Sequence, residues 1–160
     1  MRGRASQVLN VEGVAMRNHY LPYTMSHDET TRTICLTGLD RHGEIFGTGA
    51  GKTLELAETR LREYILDSVF AAASDGEDYT GDLSSTHPEG PCLAFAGQEF
   101  FPVRLRLARA SNSLTQAAVA ARLGMSQQAY AKLERVGSNP KLSAVHNLEE
   151  VLNTELLCFG

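Results

Sequence analysis

TQAAVAARLGMSQQAYAKLE, residues 115–134, decides how the second half of this chain folds. Val119 and Leu123 stand four apart, and Tyr130 and Leu133 three apart, so each half of the stretch supplies one apolar stripe that can close on the other. Gly124 separates the halves. A glycine just past a helix end takes the left-handed conformation that turns the chain sharply, and the Ser126 hydroxyl can cap the helix that follows. Ala120 puts only a methyl group where the second helix must cross, and a larger side chain would push the axes apart. The spacing predicts two short helices meeting at a tight corner. A plain pair of core helices would carry the same stripes, so the pattern alone does not name a ligand.

Gln116, Ala120 and Gly124, with the apolar set Val119, Tyr130 and Leu133, resemble the phage-repressor type of helix-turn-helix domain, and Glu134 to Pro140 resembles the loop after its recognition helix. Tyr130 departs from that pattern, where a smaller aliphatic residue is usual. The resemblance implies a second helix laid in the major groove, reading base edges with its first turns. In this chain those positions are Gln127 and Gln128, with Ala131 and Lys132 one turn on. A glutamine amide offers a donor and an acceptor together to adenine, and a good bidentate pair discriminates by ~1–3 kcal/mol. Phosphate contacts are expected from Gln116, the Ser126 hydroxyl, and Ser138, Asn139 and Lys141; they set orientation rather than sequence. Lys132 suits either role, Arg135 is equally a solvated charge, and the two glutamines read alternatively as ordinary surface residues. One such domain makes few contacts, so a homodimer or larger homo-oligomer reading half-sites about one DNA turn apart is expected, on a roughly palindromic double-stranded operator.

The chain of 160 residues holds one large domain or two small ones. Its net charge of −4 is unevenly placed: residues 1–97 carry 8 Lys and Arg against 14 Asp and Glu, residues 98–160 carry 7 against 5. A mildly basic second half suits phosphate contact, and an acidic first half suits a basic protein better than nucleic acid, although two solvated surfaces would read alike. Cys35, Cys92 and Cys158 are single and far apart, which fits a reducing cytoplasm and offers neither a metal cluster nor a disulfide framework. No apolar run has signal-peptide character or approaches the roughly 20 residues that span a bilayer, so no membrane is expected.

Residues 1–17 are expected to be a flexible arm. Tyr20 to Met25 reads as a strand, with Pro22 arguing for an edge position or the first pairing site, because proline donates no ladder hydrogen bond. Arg32 to Thr37 should pair back antiparallel, and Glu44 to Gly47 gives a third strand. From Thr53 the period changes: Leu54, Ala57, Leu61, Tyr64, Ile65 and Val69 fall on one helical face, with Thr53 as the cap. GTGAGKT, residues 47–53, has one residue too few for a phosphate loop and reads as a glycine-rich turn. Asp75 to Gly90 has five carboxylates and no Lys or Arg, and reads as an extended, mobile linker. Cys92 to Ala96 offers a strand that could return to the first domain. Pro102 suits a first helical turn, Leu142 to Leu152 an amphipathic helix, and the apolar tail from Glu155 is expected to bury against a second copy.

This β-β-β-α unit, with its Gly-Leu-Asp turn at residues 38–40, its Gly-Thr-Gly at 47–49 and its helix start at Thr53-Leu-Glu-Leu-Ala57, resembles the HicB antitoxin family. That resemblance implies an α+β protein: a partial ribonuclease H-like domain over 18–74, an acidic linker over 75–97, and an all-α helix-turn-helix and dimerisation domain over 98–160. It further implies an antitoxin that neutralises a small basic ribonuclease toxin and represses its own operon. The family's usual proline-aspartate pair is missing: Thr37 and Gly38 precede Leu39 and Asp40. Ribonuclease H chemistry needs carboxylates converging on two Mg²⁺, one from the middle of the first strand, and Tyr20 to Met25 has none; no catalytic residue, metal or cofactor is assigned. The alternative is a stand-alone repressor whose first domain is a sensor or oligomerisation module.

Overall fold

A computed structural model describes residues 17–156, and this part divides between Phe95 and Ala96 into two compact units. The architecture is α+β. The first unit runs β1 (His19–Asp28), β2 (Thr33–Leu39), β3 (Ile45–Gly51), α1 (Leu54–Ser74) and β4 (Cys92–Phe95); the second holds α2 (Phe101–Ser111), α3 (Gln116–Arg122), α4 (Gln127–Leu133) and α5 (Leu142–Leu152). The arm expected over 1–17 lies, but for Arg17, outside the described residues, as do residues 157–160 of the apolar tail.

The sheet is antiparallel throughout, in the order β3-β2-β1-β4. Of the two places expected for Pro22, the edge position is therefore corrected, since β4 returns along β1, pairing His19 with Phe95 and Pro22 with Cys92; Pro22 instead stands where pairing with β2 begins. Pro22 is tolerated because strand amides alternate sides. The Tyr20 amide donates to Ser84 and the Tyr23 amide to Pro91, so position 22 faces the β2 side, where pairing begins only at Tyr23.

β3 is longer than expected, because the glycine-rich stretch is strand and not turn. Gly47, Gly49 and Gly51 alternate onto the face that α1 covers, and their missing side chains are what lets the helix approach. A Cβ at Gly49 would stand 2.4 Å from the Ala57 carbonyl oxygen and 2.5 Å from the Leu61 nitrogen; one at Gly51 would stand 2.8 Å from the Ala57 nitrogen. The helix rests on strand backbone. Thr53 caps it as expected, its hydroxyl accepting from the Leu56 amide at 3.2 Å. Ala57, Leu61, Ile65 and Val69 are fully buried with Leu21, Leu36 and Phe95, but Leu54 and Tyr64, expected on the same face, are exposed on its flanks.

Residues 75–91 do not form the extended linker expected of their charge. Leu83 and Thr80 are buried, the Asp82 carbonyl accepts from the Arg41 amide, and Ser84 exchanges two backbone bonds with Tyr20, occupying the place beside β1 that β2 leaves. In the second unit Phe101, Leu105, Val119, Tyr130, Val145, Leu148 and Leu152 make one core. Leu156 joins it at 1 % exposure, so that residue of the tail is satisfied within its own unit rather than by a second copy.

Candidate nucleic-acid interface

α3 and α4 meet as the spacing predicts. The Thr115 hydroxyl accepts from the Ala118 amide at 3.1 Å to start α3. At its end Gly124 takes φ +66°, and the amides of Gly124 and Met125 reach back to the carbonyls of Ala121 and Ala120. This pair of bonds satisfies the free carbonyls of a helix terminus while reversing the chain, a geometry glycine adopts at little steric cost. The Ser126 hydroxyl then accepts from the Ala129 amide at 3.1 Å and opens α4. Val119, Ala120 and Tyr130 are buried between the helices, with Leu123 and Leu133 packed at the margin.

With Tyr130 turned inward, a 100° step per residue carries Gln128 and Lys132 to the opposite side of α4. Both are exposed, as is Gln127 in the first turn. Beyond α4 the chain turns through Gly137 at φ +80°, leaving Asn139 and Lys141 exposed and Ser138 half-buried before α5. The exposed polar groups of α4 and this loop are thus cationic or neutral hydrogen-bonding side chains, the chemistry that base edges and phosphates accept, with Ala129 and Val136 exposed among them.

Gln116 is held differently from expectation. Its Nε2 donates at 2.8 Å to Oε2 of Glu134, a residue only 1 % exposed, which also accepts from the Tyr130 hydroxyl at 2.8 Å and from Arg109 Nε at 2.6 Å. Arg109 adds a second bond to Oε2 at 3.1 Å and one to the Leu114 carbonyl at 3.1 Å. One carboxylate therefore fixes α2, the first turn of α3 and the end of α4 to each other. Burial would push the Glu134 carboxyl up, but the bonds from Arg109, Gln116 and Tyr130 outweigh it and hold it below the usual carboxylate range. Burial, then the bond to Glu134, pushes the Tyr130 phenol far above its ordinary value, so it stays a donor.

The sequence reading assigned no role to Arg109 or Glu134. A signal was present: tyrosine at 130 departs from the usual aliphatic residue, and a buried phenol needs an acceptor, which Glu134 supplies four residues on. Gln116 keeps its amide oxygen and second N–H while Glu134 orients it, so the network positions the residue rather than removing it from the surface.

Residues 105–157 match the family model described as helix-turn-helix, which covers α3, the corner and α4 and supports a DNA-binding transcriptional regulator. No curated protein matches the chain. Among the described residues no helix is long and apolar enough to cross a membrane.

Proposed function

We propose that the chain is an operon repressor that also blocks a small basic ribonuclease, after the manner of the HicB antitoxins. The observation that carries the repressor reading is the exposure of Gln128 and Lys132 opposite the buried Tyr130, on a helix clamped through Glu134. Gln127 and Gln128 read base edges in the major groove. Lys132 adds a base or phosphate contact. Gln116, Ser126, Ser138, Asn139 and Lys141 grip the backbone, Gln116 with the amide proton that Glu134 leaves free. A homodimer doubles these contacts on a palindromic operator.

In full-length protein, Gln128→Ala should lower operator affinity by roughly tenfold, the lower part of what one bidentate base contact contributes, with binding to unrelated DNA unchanged. Lys141→Ala should weaken both DNAs alike and reduce the salt slope by about one ion. An unchanged operator footprint and affinity in the Gln128 variant would remove the base-reading role.

The toxin-blocking reading draws on the acidic first unit. Around Tyr79 the carboxylates of Glu77, Asp82 and Asp75 gather closely enough to raise the phenol's pKa, first through a hydrogen bond with Glu77. A field of that sign attracts a basic protein and repels RNA. On this reading the first unit cuts nothing and inhibits by covering the ribonuclease. Asp28, the carboxylate of β1, stands at the strand's end with Oδ1 accepting from the amides of Thr30 and Thr31, not in mid-strand where metal chemistry would need it. Co-expression with the product of a neighbouring short basic reading frame should yield a copurifying complex and relieve that product's toxicity. A neighbour that is harmless alone, or purified protein that cleaves labelled RNA with Mg²⁺, contradicts it.

A further inference from the structure

Gly47, Gly49 and Gly51 turn toward α1, so by alternation Phe46 projects from the other face of the sheet. There it meets Tyr79, with ring centroids 6.4 Å apart and planes at 63°, edge to face. Tyr79 arrives from the segment that follows α1. That segment is tied to the turn between β2 and β3 by the Arg41 amide, which donates to the Asp82 carbonyl at 2.8 Å, so two loops and one strand end form a single corner of the first unit. Tyr79 remains 39 % exposed and Phe46 is half-buried, which leaves an aromatic surface open to solvent.

Carboxylates surround it. Residues 40–44 and 75–82 carry six, Asp40, Glu44, Asp75, Glu77, Asp78 and Asp82, against the single cation Arg41, whose Nε is turned to His42 at 3.0 Å. Two of the six hold the loops in shape: Asp40 Oδ1 accepts from the His42 and Glu44 amides, and Asp78 Oδ1 from the amide and hydroxyl of Thr80. The other four enter no ion pair among the described residues. Glu77, Asp82 and Asp75 stand close enough to Tyr79 to act on its phenol, so charge and ring lie together.

Charge selects the occupant. Nucleic acid is repelled here, and the same corner of a second copy would set carboxylate against carboxylate. A basic protein is attracted, and an arginine answers both features at once, because its planar guanidinium stacks on an aromatic ring while its N–H fork bonds a carboxylate. Exposed tyrosine meeting arginine is also the pairing that anchors protein interfaces. We propose that this corner is where the first unit binds a basic protein, with an arginine of that partner seated on the Tyr79 ring and paired with the Glu77 or Asp82 carboxylate. The proposal deepens the ribonuclease-blocking reading above and rests on it for the kind of partner.

Two probes test it on full-length protein. The first is a hexa-arginine peptide set against hexa-lysine of equal charge. Titration with hexa-arginine should move the ring signals of Tyr79 and Phe46, its binding should be about threefold or more tighter than that of hexa-lysine, and Tyr79→Ala should remove the preference. The second probe is the product of the neighbouring short basic reading frame. Glu77→Lys should raise the dissociation constant of that complex by roughly tenfold or more. Glu29→Lys makes the same charge change at an exposed site in the turn between β1 and β2, at the opposite end of the sheet, and should leave the constant within about twofold. Rings that do not move, equal affinity for the two peptides, or a neighbour complex indifferent to Glu77→Lys in folded protein overturns the proposal and leaves the ribonuclease-blocking reading standing. Arginine binding at the two rings with no complex of the neighbour supports the corner and overturns that reading instead.

Discussion

Replacing Glu134 by alanine should destabilise the second unit by about 3–5 kcal/mol, the usual cost of removing one partner from a buried ion pair. Arg109 would keep its charge in a site 20 % exposed with no carboxylate to bond, and the Tyr130 hydroxyl and Gln116 amide would lose their acceptor. A unit of this size has little more than that to lose, so α2 to α5 should open together. Glu134→Gln keeps the shape and one acceptor and should cost less. Hydrogen exchange localised to α2–α5 of the full-length protein, with the sheet as internal reference, separates these outcomes. Loss of protection confined to α4 would mean that Glu134 does not join the three helices.

Acid should act on the same group. Because Glu134's folded pKa is lowered, its contribution is complete above the ordinary carboxylate value near ~4.3 and is lost as pH falls through the folded value. Acid destabilisation of the second unit should therefore weaken in Glu134→Gln.

The second large effect is expected at Gly49. An alanine there places its Cβ 2.4 Å from one backbone atom of α1 and 2.5 Å from another. Neither atom can be moved by trimming a side chain, so the helix must lift or the strand must bend, at a cost of about 1–3 kcal/mol or more. Gly81→Ala is the control, since nothing lies within 4 Å of its Cβ position and its φ is not in the left-handed range. Thermal unfolding of the two variants should differ by several degrees, with Gly49→Ala the lower. Equal melting would mean that α1 does not rest on the backbone of β3.

The corner at Gly124 and the cap of α4 were legible because each rests on one residue type with a local job: left-handed backbone for glycine, a hydroxyl acceptor for Ser126. The clamp on Glu134 was not, because it joins residues far apart in sequence, and only the tyrosine at 130 hinted that a polar partner lay inside. Glycine content misled at residues 47–51. Glycines two apart mark one face of a strand as readily as a turn, and the deciding contact, with Ala57 and Leu61, comes from a helix that follows. Acidity misled at residues 75–91 in the same way. Five carboxylates speak for solvent, yet Leu83 and Thr80 anchor the segment through burial, and Ser84 through backbone bonds that charge does not report. Pro22 was read rightly as unable to donate, and of its two expected places the start of pairing holds on the β2 side, where β2 stops one residue short of it, while the edge does not, because β4 comes from 70 residues on.

Binding of the full-length protein to DNA from upstream of its own reading frame, set against unrelated DNA of equal length over a range of salt, addresses the regulator reading most directly. Wild-type protein should protect one palindromic site in preference to the unrelated DNA. Gln127→Ala with Gln128→Ala should abolish that preference while leaving the salt-dependent, sequence-independent component in place. Equal affinity of wild-type protein for both DNAs, or full operator preference in a folded protein lacking both glutamines, would mean that α4 does not read the groove.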